Sequence, residues 1–384
     1  MAIPAVHAIR RISWQGFRVP FRESFAAANR TMRARDGLII RVENDAGAWP
    51  GEASFLDSDG LNTVERAAER ISAIGRQLLG LSGEEAWAAL AALPPDPDAS
   101  MRSAACGLET AVANLTSAQA GMSMAAYLRG SPSTTPATGI RVNGIVPAGA
   151  TEAAIEAARG LVADGMTCLK LKVGGDPEQA VAHLARVRAA VGDAVELRAD
   201  ANGSWMVDEA ARFLGGCQPI GLALCEEPLS LADPERLRTL AALRKRFQIP
   251  LGVDESCRLL SHFDTVLAAA ATDVLVLKPM ATGLHEAMRM MQRAGDCGVP
   301  VVVTTTFDGG LGTLMAAHVA AARTGTLPAC GLATLDFLND DLVTGPLTLD
   351  GDALALPTMP GLGGETDMGA LRRYGLPVSG SIER

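Results

Sequence analysis

The chain has 384 residues, of which 48% are hydrophobic and 20% charged, a balance that suits a globular protein of two domains or one large domain with an appendage. A net charge of −9 argues against nucleic acid as the main partner, because phosphate binding needs a basic surface. No apolar h-region occurs between Met1 and Trp14, and no uncharged apolar run reaches roughly 18 residues, so neither a secretory leader nor a membrane span is expected.

The first segment, to about Ser54, alternates like antiparallel strands, most clearly at Ala8 to Phe17 and Leu38 to Glu43. Between them Phe21 to Arg35 is polar and arginine-rich and reads as a loop. Thr63 to Ala92 and Met101 to Tyr127 carry helical spacing. Ser131 to Pro136 reads as a linker. The rhythm then changes to strands alternating with amphipathic helices. Ile140 to Val146 precedes a helix over Thr151 to Asp164. Cys168 to Val173 precedes Pro177 to Val191, and Val195 to Ala201 precedes Val207 to Gly215. Leu222 to Glu226 precedes Pro234 to Arg246, and Leu251 to Asp254 precedes Ser261 to Ala269. Val274 to Lys278 precedes Gly283 to Ala294, and Val301 to Thr304 precedes Gly312 to Ala322. A last strand falls near Ala329 to Ala333. This pattern predicts an α/β chain built on a parallel (β/α) barrel. A doubly wound sheet would show a glycine-rich phosphate turn after its first strand, and none occurs there.

Seven cysteines are scattered, none in a C-x-x-C pair, which predicts buried thiols without disulfides or zinc in a reducing cytoplasm. The thirty-four basic residues include only four lysines, and three of these, Lys170, Lys172 and Lys278, lie in apolar strand runs. Lysine can lose its proton when desolvated or placed beside another cation, whereas arginine stays charged. A proton-transfer base needs that property. Lys170 and Lys172 are two apart on one strand and share a face. Two packed ammonium groups near a cation would depress a lysine pKa from its usual value of about 10.4.

Acidic residues close three successive strands: Asp200, Glu226 and Asp254. One acid at a strand end is commonly a helix cap or a solvated charge. Three at equivalent places on neighbouring barrel strands, beside lysines, converge on one point at the face where barrel active sites are built. Such a set suits a hard divalent cation that takes oxygen ligands.

These segments resemble the enolase superfamily, in its muconate lactonizing enzyme subgroup. The matching pieces are Leu169-Lys170-Leu171-Lys172, Asp200-Ala201-Asn202-Gly203, Glu226-Glu227-Pro228, Asp254-Glu255-Ser256 and Leu277-Lys278-Pro279, in family order and near-family spacing. The resemblance implies an α+β capping domain over residues 1–130, a modified (β/α) barrel over 137–335, and a segment over 336–384 that returns to the cap. It implies Mg²⁺, with Mn²⁺ as an alternative, on Asp200, Glu226 and Asp254, with Glu226 rather than Glu227 as the middle ligand. Lys172 and Lys278 would be the acid/base or charge-stabilising lysines, and Lys170 would tune Lys172. The shared step would be removal of a proton α to a carboxylate, giving an enolate.

The mandelate racemase branch uses a histidine after the seventh strand, where this chain has Thr304 to Gly310 without one, so that branch is disfavoured. Dipeptide epimerases resemble one another in an Asp-x-Asp after the eighth strand; here Asp336 is present but Leu338 replaces the second acid. The resemblance therefore leans to an o-succinylbenzoate synthase, a lyase acting by syn dehydration, with Lys278 serving as a cation. An N-acylamino acid racemase or dipeptide epimerase is the alternative, then a muconate cycloisomerase. Expected substrate contacts are Asn143, Asn202, Thr305, Asp308, Gly309, Gly310, Phe25 and Asp336. Gly283-Leu284 and Gly309-Gly310 depart from the family pattern near the place of a distal carboxylate. The loop Phe25 to Arg30 should close over the pocket and, with Ser54 to Asp59, set specificity. The expected partner is a small carboxylate, with a homo-oligomer left open. A binding scaffold that has lost activity is the non-enzymatic alternative, disfavoured because Lys172, Asp200, Glu226, Asp254 and Lys278 are all retained.

Overall fold

Alternation at the N-terminal end of the chain builds an antiparallel sheet from β1 (Arg11–Ala27), β2 (Arg30–Asn44) and β3 (Gly47–Phe55). The computed structural model describes residues 7–27, 30–56, 58–130, 139–323, 328–345 and 347–384, with backbone alone for 24–27 and 30–31. Along β2 the period of two feeds two cores. Leu38, Ile40 and Val42 pack with Ile71 inside the cap, while Ile39 joins the cluster shared with the barrel. The stretch Phe21 to Arg35, expected as a loop, is instead largely strand. β1 and β2 stay paired from Arg11↔Glu43 to Pro20↔Ala34, and after a register shift pair again at Phe25↔Met32. Cross-strand pairing carried the extended backbone through a locally polar sequence.

Helices α1 (Leu61–Leu78), α2 (Gly83–Ala91), α3 (Ala99–Gln119) and α4 (Met124–Arg129) complete the cap. The helical stretch from Thr63 is broken at Gly80, whose φ of 84° only glycine adopts freely. It restarts at Ser82, which forms a capping box with Glu85. α3 is buried along most of its length between cap and barrel. It lies so close to β3 that a Cβ on Gly51 would stand 2.2 Å from the Gly107 carbonyl oxygen. The expected linker Ser131 to Pro136 lies outside the described residues.

Beyond it the chain runs β4 (Gly139–Arg141), β5 (Gly144–Val146), α5 (Thr151–Ala163), β6 (Cys168–Lys172), α6 (Pro177–Val191), β7 (Glu196–Asp200), α7 (Val207–Cys217), β8 (Leu224–Glu226) and α8 (Arg236–Arg246). There follow β9 (Leu251–Val253), α9 (Leu260–Ala268), β10 (Val274–Leu277), α10 (Pro279–Thr282), α11 (Leu284–Asp296), β11 (Val301–Val303) and α12 (Gly310–Ala322). β5 to β11 form one parallel sheet in chain order. Leu169, Leu171, Leu197 and Ala199 are buried in the main core, on the strand face opposite the lysines and Asp200, as the period of two along a strand requires. The expected eighth strand is reduced to two residues. Cys330 bridges Val142 and Gly331 bridges Thr304, so this short stave ties the two edges of the sheet together.

The chain ends with β12 (Leu349–Asp350), β13 (Ala353–Ala355), α13 (Met368–Arg373) and β14 (Gly375–Glu383). β14 pairs with β1 as the fourth strand of the cap sheet, and β12 and β13 form a small sheet with β4. All seven cysteines are free thiols, and six are buried. Among the described residues no helix is long and apolar enough to cross a membrane.

Candidate active site

Parallel register sets the site. Lys172 pairs with Asp200, and Asp200 pairs with Glu226, so three side chains on β6, β7 and β8 stand in one row at the strand ends. Asp254 follows β9 directly. All three acids are buried. Glu226 and Glu227 part company because Glu227 has a φ of 42°, a conformation that turns the chain at that point. Glu227 Oε2 accepts the amides of Asp254 and Ser256 at 2.8 and 3.1 Å, and Oε1 accepts the Ser256 hydroxyl at 2.9 Å. It therefore holds the turn that presents Asp254, which leaves Glu226 to the site.

The lysines meet these acids. Lys170 Nζ lies 2.7 Å from Glu226 Oε2 and 3.0 Å from Asp200 Oδ2. Lys172 Nζ donates to Asn202 Oδ1 at 2.5 Å and stands 3.6 Å from Asp200. Lys278, after β10, donates to Asp254 Oδ2, whose other oxygen is held by Arg258 at 2.7 Å. Lys172 and Lys278 thus enter one cavity from strands four places apart in the sheet.

Burial works against the Lys170 ammonium, but Asp200, Glu226 and Asp254 outweigh it and hold it well above the usual lysine range. Burial, then the charge of Asp200, pushes Glu226 up to about 8. Burial would also raise Asp254 and Asp200. Arg258 and Lys278 reverse that for Asp254, as Lys170 and Lys172 do for Asp200, and both stay below the usual range.

Glu226 Oε1 is buried and has no hydrogen-bond partner among the described residues. A carboxylate oxygen in that state needs a cation or a proton. The three acids supply hard oxygen donors from adjacent strands, and on that ground they fit Mg²⁺ or Mn²⁺. They do not stand as a ready-made cage: among the described residues no three acids are disposed to grip an ion, and Lys170 and Lys278 engage the oxygens that would turn to it.

The cavity at these residues has a volume of about 400 Å³. Larger hollows of about 530 and 570 Å³ lie on the cap surface around Trp14, and neither gathers buried ionisable groups. Of the expected substrate contacts, Asn143, Asn202 and Thr305 line the cavity. Asp308, Gly309 and Gly310 do not. Asp308 is fully buried and accepts the Thr306 hydroxyl at 2.5 Å, and the Gly309 amide donates to Glu52 Oε1 at 2.6 Å. The Gly310 amide bonds the Asp341 carbonyl at 2.7 Å. Gly309 serves cap docking instead, since a Cβ on it would stand 2.8 Å from Glu52 Oε2, while one on Gly310 would stand 2.6 Å from Val343 Cγ2. Asp336 is exposed on the short turn Leu335–Phe337 and is not part of the cavity wall. The side chain of Phe25, and with it the loop Phe25 to Arg30, lies outside what the structure describes. From Ser54 to Asp59, Leu56 lines the cavity, Ser54 is buried against Glu52 and residue 57 is outside the described residues.

Sequence reasoning passed over Glu255, Arg258, Arg198 and Arg102, all of which line the cavity. Arg258 was within reach of it, four residues after Asp254. The Glu52 contact to Gly309 spans 257 positions and carries no local signal.

Residues 152–370 match the family described as enolase C-terminal domain-like. The chain belongs to the enolase superfamily. An L-Ala-D/L-Glu epimerase of Bacillus subtilis is 28% identical over 372 residues, covering 92% of this chain and 96% of that enzyme. An o-succinylbenzoate synthase of Thermobifida fusca is 36% identical over 212 residues, 54% of this chain; the match spans 63% of that enzyme, less than two thirds of its length. A dipeptide epimerase of Cytophaga hutchinsonii, solved with Mg and the dipeptide D-Ala-L-Val, superposes with a TM-score of 0.83 at 24% identity, covering 98% of this chain and 99% of that one. The resemblance to the enolase superfamily in its muconate lactonizing subgroup, and the α/β barrel with its antiparallel additions, are borne out. The superfamily relatives are enzymes, named as o-succinylbenzoate synthases, dipeptide epimerases and an N-succinylamino acid racemase.

Proposed function

We propose that the chain removes the proton α to a carboxylate to give an enolate, with o-succinylbenzoate synthase-type dehydration as its reaction. The observation that carries this reading is the placing of Lys172 and Lys278 in one cavity with the buried acids Asp200 and Glu226, the second of which has an unpartnered oxygen, and with Asp254 paired to Lys278. Asp200, Glu226 and Asp254 would hold Mg²⁺, which supplies electrostatic stabilisation to the carboxylate as negative charge builds on it. Lys172, as a free amine, takes the α-proton. The α carbon–hydrogen pair then forms the new double bond as the β carbon–oxygen bond breaks, and the departing hydroxide takes the proton back from Lys172 as water. Lys278, held by Asp254, stays a cation facing the developing charge. Asn202, bonded to Lys172 and to Glu255 at 3.1 Å, orients the base.

Extensive similarity to the Bacillus subtilis enzyme favours epimerisation as the second reading, in which Lys172 and Lys278 act from opposite faces. Against it, Leu338 is buried and Asp336 exposed, so no acid of that segment meets a substrate ammonium in the cavity. The deciding experiment incubates the full chain and Mg²⁺ in D₂O with the dehydration substrate, N-succinylamino acids and dipeptides. Loss of water without α-deuteration of recovered substrate is expected. Deuterated, inverted amino acid would install the second reading, and no reaction with any of them would end both.

A further inference from the structure

Lys278 stands at the head of α10, where its carbonyl accepts the amides of Ala281 and Thr282 at 3.0 and 3.1 Å. α10 is four residues long, and its far end turns at Gly283 straight into α11. Gly283 has φ 99°, a backbone conformation that glycine adopts freely and other residues do not. The cap helix α3 grips this corner with two side chains. Arg102 Nε donates to the Ala281 carbonyl at 2.8 Å, at the C-terminal end of α10. Glu109 Oε2 accepts the first two amides of α11, from Leu284 and His285, at 2.5 and 3.3 Å. Each charge answers backbone groups that a helix end leaves without an internal partner. Arg102 and Glu109 lie about two turns apart on one face of α3, and each is 7% exposed. Arg102 is itself anchored by the carbonyls of Asp96 and Pro97 at 2.7 and 3.0 Å. Glu109 Oε1 stands 3.2 Å from His285 Nδ1, and the His285 ring lies against Trp87 of α2 with centroids 3.7 Å apart. The corner that follows Lys278 is thus held from the cap.

We infer that Arg102 and Glu109 are positioning residues for Lys278, setting through α10 where its ammonium enters the cavity. Among the described residues Asp254 is the side chain that this ammonium engages. One contact at the tip of a long flexible chain does not fix it, so the backbone beneath must be held. A misplacement of about 1 Å at a reacting centre can cost on the order of 10²-fold in rate. Glu109 is not part of the cavity wall, so its influence on the site passes through the corner. This rests on reading Lys278 as a cation that faces the reacting carboxylate.

The test is placed on Glu109, because Arg102 also lines the cavity. The chain has four lysines, Lys170, Lys172, Lys245 and Lys278, so isotope labelling of lysine at Cε gives four NMR signals, each assigned by a single arginine replacement. In the full chain with Mg²⁺, Glu109→Ala should move the Lys278 signal and leave that of Lys245 in place. With the dehydration substrate it should lower kcat by about 10- to 100-fold and keep KM within about twofold. Glu109→Gln keeps one oxygen for the α11 amides and should lose less of kcat than the alanine variant; it serves alone if that variant does not fold. An unmoved Lys278 signal, an equal shift of all four signals, or a change confined to KM overturns the assignment. Turnover separates this inference from the proposed reaction. A Lys278 signal that follows Glu109 in a chain that turns over none of the candidate substrates would sink the reaction and keep the positioning role. Dehydration with the same kcat in wild type and variants would do the reverse.

Discussion

Glu52 on the cap strand β3 accepts a 2.6 Å hydrogen bond from the Gly309 amide at the start of α12, and a second, of 3.0 Å, comes from Gly312. Cap and barrel are thus joined by a buried carboxylate set on a helix N-terminus. The same loop offers Thr305 and Thr306 to the cavity, so the joint also steadies one wall of the site.

This joint is pH-sensitive. Burial, then the charge of Asp308, pushes Glu52 up to about 7 from the ordinary 4.5. The folded chain therefore holds a proton that the unfolded chain releases. Stability from that proton is complete below about 4.5 and is lost as pH rises through about 7. At 1.36 kcal/mol per unit the loss is about 3 kcal/mol at most. Glu52→Gln should be nearly free of this loss, so urea unfolding at pH 5 and pH 8 should show the variant gaining on the wild type. Parallel stability curves would refute it.

Metal binding should depend on the strand-end acids. With Mg²⁺ at 100 times its dissociation constant, the wild type should gain about 2.7 kcal/mol in stability. Asp200→Asn should lose most of that gain, read as a melting shift with and without the ion. Equal shifts in both proteins would remove Asp200 from the ligand set.

Lys172 and Lys278 should separate by reaction. Lys172→Ala should lower the dehydration rate by about 10²- to 10⁴-fold, the usual worth of a positioned general base. Lys278→Arg preserves charge and should keep measurable dehydration. Rates of product formation for the two variants decide it; loss of comparable size in both would make Lys278 an acid or base, as an epimerase needs.

Gly107 lets α3 press on the cap sheet, since a Cβ there would stand 2.7 Å from Ile40 Cδ1 and 2.8 Å from the Ala53 amide. Gly107→Ala should cost about 1–3 kcal/mol through overpacking, measured by denaturant unfolding. A stabilised variant would show that the contact relaxes freely.

Much of the site was legible because barrel geometry converts strand position into spatial position. Asp200, Glu226 and Lys172 needed only their place at strand ends to be brought together, and the second periodicity, Leu169 and Leu171 against Lys170 and Lys172, showed which side faced inward. Charge state was less legible: Lys170 is governed by Asp200 and Glu226 on other strands more than by its sequence neighbour. Asp308, Gly309 and Asp336 were misplaced for a related reason. Nothing near Asp308 in the chain announces Glu52, and nothing near Asp336 says that its turn faces outward. The polar Phe21 to Arg35 stretch became strand because pairing between β1 and β2 supplied what local propensity did not.

β14 completes the cap sheet by lying against β1, yet it follows every barrel strand in the chain. During synthesis the staves, their acids and their lysines therefore leave the ribosome before the cap can acquire its last strand. The first β-strand must wait with a bare edge through the translation of more than 340 residues, an interval in which a chaperone or a stray strand can find it.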